Sequence, residues 1–169
     1  AVLFDKKLTA CMITIQRNKS YYGAFFPDRW ADVEHIELVH EIGLNTSYFH
    51  ERTLFQILET LGHQMCHLWQ HLYGSPSRNG YHNGEWSEAM KAIGLMPSDT
   101  FNEGGKITGQ KMGEFTVKEG RFEQACIDLI TIGFEISLID RYQYRIPYVE
   151  DISIEALRSQ YGEKTECEL

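Results

Sequence analysis

In the stretch ETLGHQMCHLWQHLYG, residues 59–74, a histidine recurs every fourth position: His63, His67 and His71. At that spacing two imidazoles stand one helical turn apart, with Cβ atoms ~5–6 Å from each other, and can reach one metal ion. The third cannot join them. At 1.5 Å rise per residue His63 and His71 are ~12 Å apart along the axis, whereas zinc–nitrogen bonds are only ~2.0–2.1 Å. His71 is therefore expected on the surface or beside a ligand, and a third ligand must come from elsewhere. His82, in GYHNGEW, is the best donor. The glycine-bearing turn YGSPSRNG can fold the chain back, and the start of a second helix gives His82 a fixed position. Three protein ligands leave a fourth position for water, which is the arrangement of a catalytic rather than a structural zinc. Glu85, one turn beyond, is an alternative ligand, a hydrogen-bond partner of one, or a first-turn acidic residue favoured by the helix dipole.

These residues need elements to hold them. Leu54, Leu58, Leu61, Met65, Leu68 and Leu72 alternate at four and three, which predicts one buried face of a helix over about 53–73. At ~100° per residue His63 lies about 200° from Leu61, so the histidine pair is expected to point away from that core. Gly74 is a natural cap and Pro76 prevents continuation. A second helix is expected from Asn83, as N-cap, to Gly94. Upstream, CMITIQ (11–16) and YYGAFF (21–26) are β-rich runs separated by RNKS, which predicts a hairpin. A third strand is expected in HIELVHEIGLN (35–45). Strands followed by helices predict an α+β fold with a small antiparallel sheet ahead of the histidine helix. Downstream of LMPSDT, the glycine-rich NEGGKITGQKMG reads as a loop, flexible or facing a substrate. RFEQACIDLITIG reads as a third helix with Phe122, Leu129 and Ile130 inward and Gly133 as cap. FEISLID is expected as a strand, SIEALRSQY as a short helix and GEKTECEL as a frayed tail.

At 169 residues the chain fits one domain. Its 43% hydrophobic and 12% aromatic content is ample for a buried core. A formal charge of −8 argues against broad charge-driven binding to nucleic acid or anionic membranes. No apolar run approaches the ~20 residues of a membrane span, and no secretory leader is evident at the N-terminus. A chain starting at Ala1 without methionine is expected to be trimmed or processed. Cys11, Cys66, Cys126 and Cys167 form no C-x-x-C pair, so no zinc ribbon is encoded. Scattered thiols suggest a reducing, cytoplasmic compartment.

LETLGHQMCHLWQ together with GYHNGEWSEAMKAIGLMP resembles the SprT-like metallopeptidases, zincins that include Spartan-type proteases of DNA–protein crosslinks. In that family the first helix carries H-E-x-x-H, and a third histidine opens the next helix in an H-G-x-E-[FW]-like element. HNGEW at 82–86 matches the second element closely, and HQMCH at 63–67 matches the first except at one residue. The preceding strands and EIGLN look like the family's three strands before the catalytic helix. The resemblance covers about 8–100 and leaves about 101–169 as an extension without the zinc ribbon that family members often carry. It implies a zincin-like core, zinc as cofactor on His63, His67 and His82, and a protein or peptide substrate. DNA association is a family analogy only and is not carried over. Among lesser candidates, the edge of the third strand around His40 to Asn45 would pair with an extended substrate. Tyr81, Tyr142 and Arg141 are candidate oxyanion stabilisers that could equally be packing residues. His35, His40 and His50 are expected as surface or strand residues.

The departure is Gln64, where the resemblance places the glutamate that takes a proton from zinc-bound water and passes it to the leaving amine. Glutamine keeps the shape but lacks basicity, and loss of a general base costs ~10²–10⁴-fold in rate. Zinc binding should survive. An engineered Glu-to-Gln exchange is the favoured explanation, ahead of a natural pseudoenzyme that binds peptides without cutting, and of a non-catalytic metal site or none.

Overall fold

The chain between residues 11 and 45 makes a three-stranded sheet, but its first two strands do not form the expected hairpin. The computed structural model describes residues 3–18, 20–34 and 37–137. Strand β1 (Cys11–Gln16) runs parallel to β3 (Glu37–Asn45), with Cys11 opposite His40 and Gln16 opposite Asn45. Strand β2 (Gly23–Asp32) pairs antiparallel with the other side of β3, so the order is β1-β3-β2. The sheet is therefore mixed, which corrects the expected antiparallel one. The cause lies in β3, whose residues His40 to Asn45 are all buried. A run that covered belongs in the centre, where both edges are paired. Asn45 secures the arrangement: its side chain donates to the carbonyls of Asn18 (2.7 Å) and Tyr21 (2.5 Å) and accepts from the Asn18 amide (3.1 Å). A central β3 has no free edge, so the expected substrate edge at His40–Asn45 is also corrected. The edge beside the histidine helix is β2. Its pairing breaks at a bulge between Phe26 and Trp30, where Asp28 takes a left-handed backbone (φ 51°).

Helix α1 (Leu54–Tyr73) starts with a reciprocal capping box between Thr53 and Gln56 and ends at Gly74. Helix α2 (Gly84–Ile93) is capped by the Asn83 side chain, which accepts from the Trp86 amide (3.0 Å). Gly94 terminates it at φ 94°, and a Cβ there would lie 2.9 Å from the Phe122 amide nitrogen, so glycine is required. Helix α3 (Arg121–Thr131) delivers Phe122 and Cys126 to the core. That core joins Leu58 and Cys66 of α1 to Trp86, Met90 and Ile93 of α2 and Leu95 beyond it. The expected leucine stripe is only partly the buried face. Leu58 and Leu68 are buried, Leu54 and Leu61 flank the core, and Met65 and Leu72 are half-buried. Gly62 and Cys66 take central places instead, because a Cβ on Gly62 would press on the Phe122 ring and Leu95.

Residues 102–112 of the glycine-rich stretch form no helix or strand, as expected, but they connect the two strands of a hairpin. Strand β4 (Leu95–Ser98) pairs antiparallel with β5 (Gly113–Thr116), Pro97 lying opposite Glu114. The Glu59 carboxylate on α1 accepts from the amide (3.0 Å) and hydroxyl (2.7 Å) of Thr116, fastening the hairpin to the histidine helix. The single core thus extends past residue 100. Residues 134–137 of the expected FEISLID strand are irregular. The rest of that segment, SIEALRSQY, GEKTECEL and Cys167 lie outside the described residues. Cys11 and Cys66 are free thiols, and among the described residues no helix is long and apolar enough to cross a membrane.

Candidate metal centre

His63 and His67 project from α1 towards His82, which sits immediately before the N-cap of α2. The Nε2 atom of His82 lies 3.0 Å from Nε2 of His63 and 3.1 Å from Nε2 of His67. Ligand nitrogens around one tetrahedral zinc are ~3.3 Å apart, given bonds of ~2.0–2.1 Å, so the three are spaced as a facial set. The pair on α1 faces a cleft. His63 and His82 are buried and His67 is half-buried. The three form one wall of this cleft, which measures about 970 Å³ and also includes Gly23 and Phe25 of β2, Gln64, Tyr81 and Met112.

The outer ring nitrogens fix the tautomers. His63 Nδ1 is 2.7 Å from Oε2 of Glu114, and His82 Nδ1 is 3.1 Å from the carbonyl oxygen of Gly109. Both oxygens accept, so both Nδ1 atoms carry the hydrogen and both Nε2 atoms present lone pairs. Two lone pairs facing each other at 3.0 Å repel unless a cation lies between them. Burial and the neighbouring imidazoles hold His67 well below the ordinary histidine range, and burial with His63 pushes His82 down to about 4. Neutral imidazoles at pH 7 are the form a metal needs.

Two supports of this centre escaped the sequence reading. Glu114 lies in β5, a strand hidden in a glycine-rich stretch, and carries no motif; only its alternation opposite Pro97 could have signalled it. The ring of Trp86, in the first turn of α2, lies against all three imidazoles, with centroids 4.7, 5.5 and 4.3 Å from His63, His67 and His82. His82 is fixed further by backbone bonds to Gly109, in both directions at 2.8 and 3.0 Å. The loop that includes Gly109 therefore faces the cleft. Because the Glu114 carboxylate orients His63, Glu114→Gln should weaken affinity for a metal ion at these imidazoles ~10–100-fold. Competition with a chromogenic chelator would measure it, and an unchanged affinity would refute this role for Glu114.

The other candidates are placed as follows. Gln64 is buried beside His63, its Cγ 3.3 Å from where a Cβ on Gly23 would stand. It thus lies between the histidines and the edge strand. Tyr81 lines the cleft and is exposed. Glu85 does not join the histidines; it accepts from the Ser75 amide (2.6 Å) and Gln70 Nε2 (2.8 Å), tying the end of α1 to the start of α2. His71 faces His40 and Asp28, away from His82. His50 lies 3.1 Å from the Glu51 carboxylate, apart from the cluster. His35, Arg141 and Tyr142 lie outside the described residues.

No curated protein and no solved structure matches the chain at a significant level. The model of the SprT-like family, whose members are metalloprotease-like, matches residues 2–105, which include α1, His82 and α2. A match across more than half of the sequence, on the segment that supplies all three converging imidazoles, establishes that the chain belongs to the SprT-like family.

Proposed function

We propose that the chain is a zinc-dependent endopeptidase domain whose general-base position is filled by Gln64. The observation that carries this reading is the convergence of proton-free Nε2 atoms from His63 and His82 with that of His67. Three converging imidazole nitrogens and an open cleft suit zinc with a free coordination position. When bound, zinc supplies an activated water and polarises a peptide carbonyl. The chain's own residues would do the rest. Glu114 and the Gly109 carbonyl hold the imidazoles in their metal-binding tautomers, and Trp86 excludes water beneath them. The edge strand β2 offers backbone groups to an extended protein or peptide substrate, along the wall where only Gly23 leaves room for Thr60 and Gln64. Position 64 stands between that strand and the metal, where a carboxylate would take the proton of the attacking water.

Gln64 favours a second reading: a pseudoprotease on the same zincin-like core that binds peptides without cutting them. DNA association is left to family analogy, and the free thiols suit a reducing, intracellular setting. The zinc centre itself is tested by metal analysis. The purified protein should hold zinc on this triad, and His82→Ala should lose that one ion per chain without loss of helical circular dichroism. A folded protein that binds no zinc, or a His82→Ala variant that binds as much as the parent, would defeat both readings of the centre.

A further inference from the structure

One helical turn beyond His67, a second convergence of ligating side chains starts at His71, which also lines the cleft. His71 of α1, His40 of β3 and Asp28 in the β2 bulge bring their donor atoms within 4.8 Å of one another. We propose that they form a second, separate site for a divalent transition-metal ion of the zinc class. Two imidazoles and one carboxylate suit such ions, which prefer nitrogen donors with an anionic oxygen.

The local geometry repeats that of the three-histidine centre. The His40 and His71 rings meet edge to face at 4.9 Å, beside 5.1, 5.0 and 4.8 Å among His63, His67 and His82. An aromatic wall backs both sets: Phe25 lies 5.9 Å from His40 and 5.8 Å from His71, as Trp86 backs the first. Asp28 Oδ1 is 3.4 Å from His40 Nδ1, and Oδ2 is 3.9 Å from His71 Nε2. Both gaps exceed a good hydrogen bond, yet the first is close to the ~3.3 Å between ligands of one tetrahedral ion. His40 Nδ1 accepts the Asp28 amide at 3.1 Å, so this nitrogen already presents its lone pair to the bulge. An ion there would replace that amide bond. The amide belongs to the part of β2 that leaves the sheet ladder, where small shifts do not break strand pairing.

The two sites are distinct. His67 and His71 are ~6 Å apart along the helix axis, and no residue is shared, whereas paired catalytic metals lie ~3.5–4 Å apart. Bound at the half-exposed Asp28, the second ion would complete its shell with water and staple β2, β3 and α1 together at the cleft rim.

Equilibrium dialysis of the whole chain against zinc tests this directly. His71→Ala and Asp28→Asn should each lose one zinc per chain relative to the parent protein while keeping the ion lost in His82→Ala. A His63→Ala, His67→Ala double variant should keep the ion that His71→Ala loses. His71→Gln, which retains polar bulk, covers the case in which alanine unfolds the rim and should lose the same ion. Equal zinc content in the parent, His71→Ala, His71→Gln and Asp28→Asn proteins would overturn the second site while leaving the three-histidine centre intact.

Discussion

Gln64→Glu should raise peptide-bond hydrolysis by ~10²–10⁴-fold, the range set by a positioned general base, with no change in zinc content. At ~1.36 kcal/mol per tenfold, the introduced carboxylate contributes ~3–5 kcal/mol to the transition state. The two side chains have nearly the same volume, so the buried site accepts the exchange without repacking. What changes is basicity. Burial at position 64 favours the protonated form of a carboxyl, while a nearby zinc favours the ionised form. Those opposing effects bring a carboxyl towards neutrality, where it can both take and return a proton. Digestion of casein and self-cleavage, followed by gel and mass spectrometry, would reveal the gain, and Gln64→Ala should stay silent. A zinc-loaded Gln64→Glu protein that cuts neither substrate would sink the protease reading and leave the peptide-binding module standing.

Local chemistry made the centre legible before the fold was. The i, i+4 pair His63 and His67 needs only a helix, and His82 needs only a cap at Asn83; both are set by nearest-neighbour patterns. α1, α2 and α3 follow for the same reason, each bounded by a cap or a glycine. Strand partnership was not legible. The runs 11–16 and 21–26 do form strands, but which neighbours they take depends on the burial of β3 and on Asn45 bridging Asn18 and Tyr21. The β4–β5 hairpin was hidden more deeply. Its strands are four residues each, one contains Pro97, and fourteen residues separate them (99–112). Without that pairing Glu114 could not be connected with His63, 51 positions earlier. His40 and His71 show the same limit from the other side. Each reads alone as a surface or strand histidine, and only the bulge at Asp28 makes them neighbours.

Trp86 joins the core to the metal centre, so its removal should damage both. It is fully buried at 0% exposure, in the cluster with Leu58, Met90, Ile93 and Phe122. Trp86→Ala should cost ~3–5 kcal/mol, the usual range for emptying a large aromatic site. For a domain of this size that corresponds to a fall of ~6–20 °C in Tm, read in the presence of chelator so that bound zinc does not mask it. Zinc affinity should fall as well, because the ring at 4.3–5.5 Å from the three imidazoles holds them facing inwards. Trp86→Phe separates the two effects. The indole Nε1 is buried without a hydrogen-bond partner among the described residues, so phenylalanine removes an unsatisfied donor and breaks no hydrogen bond. Its cost should therefore be well below that of alanine, and the remaining ring should keep zinc affinity close to the parent value. If Trp86→Phe released zinc as readily as Trp86→Ala, packing beneath the imidazoles would not be what orients them, and Glu114 with the Gly109 carbonyl would be left to fix His63 and His82.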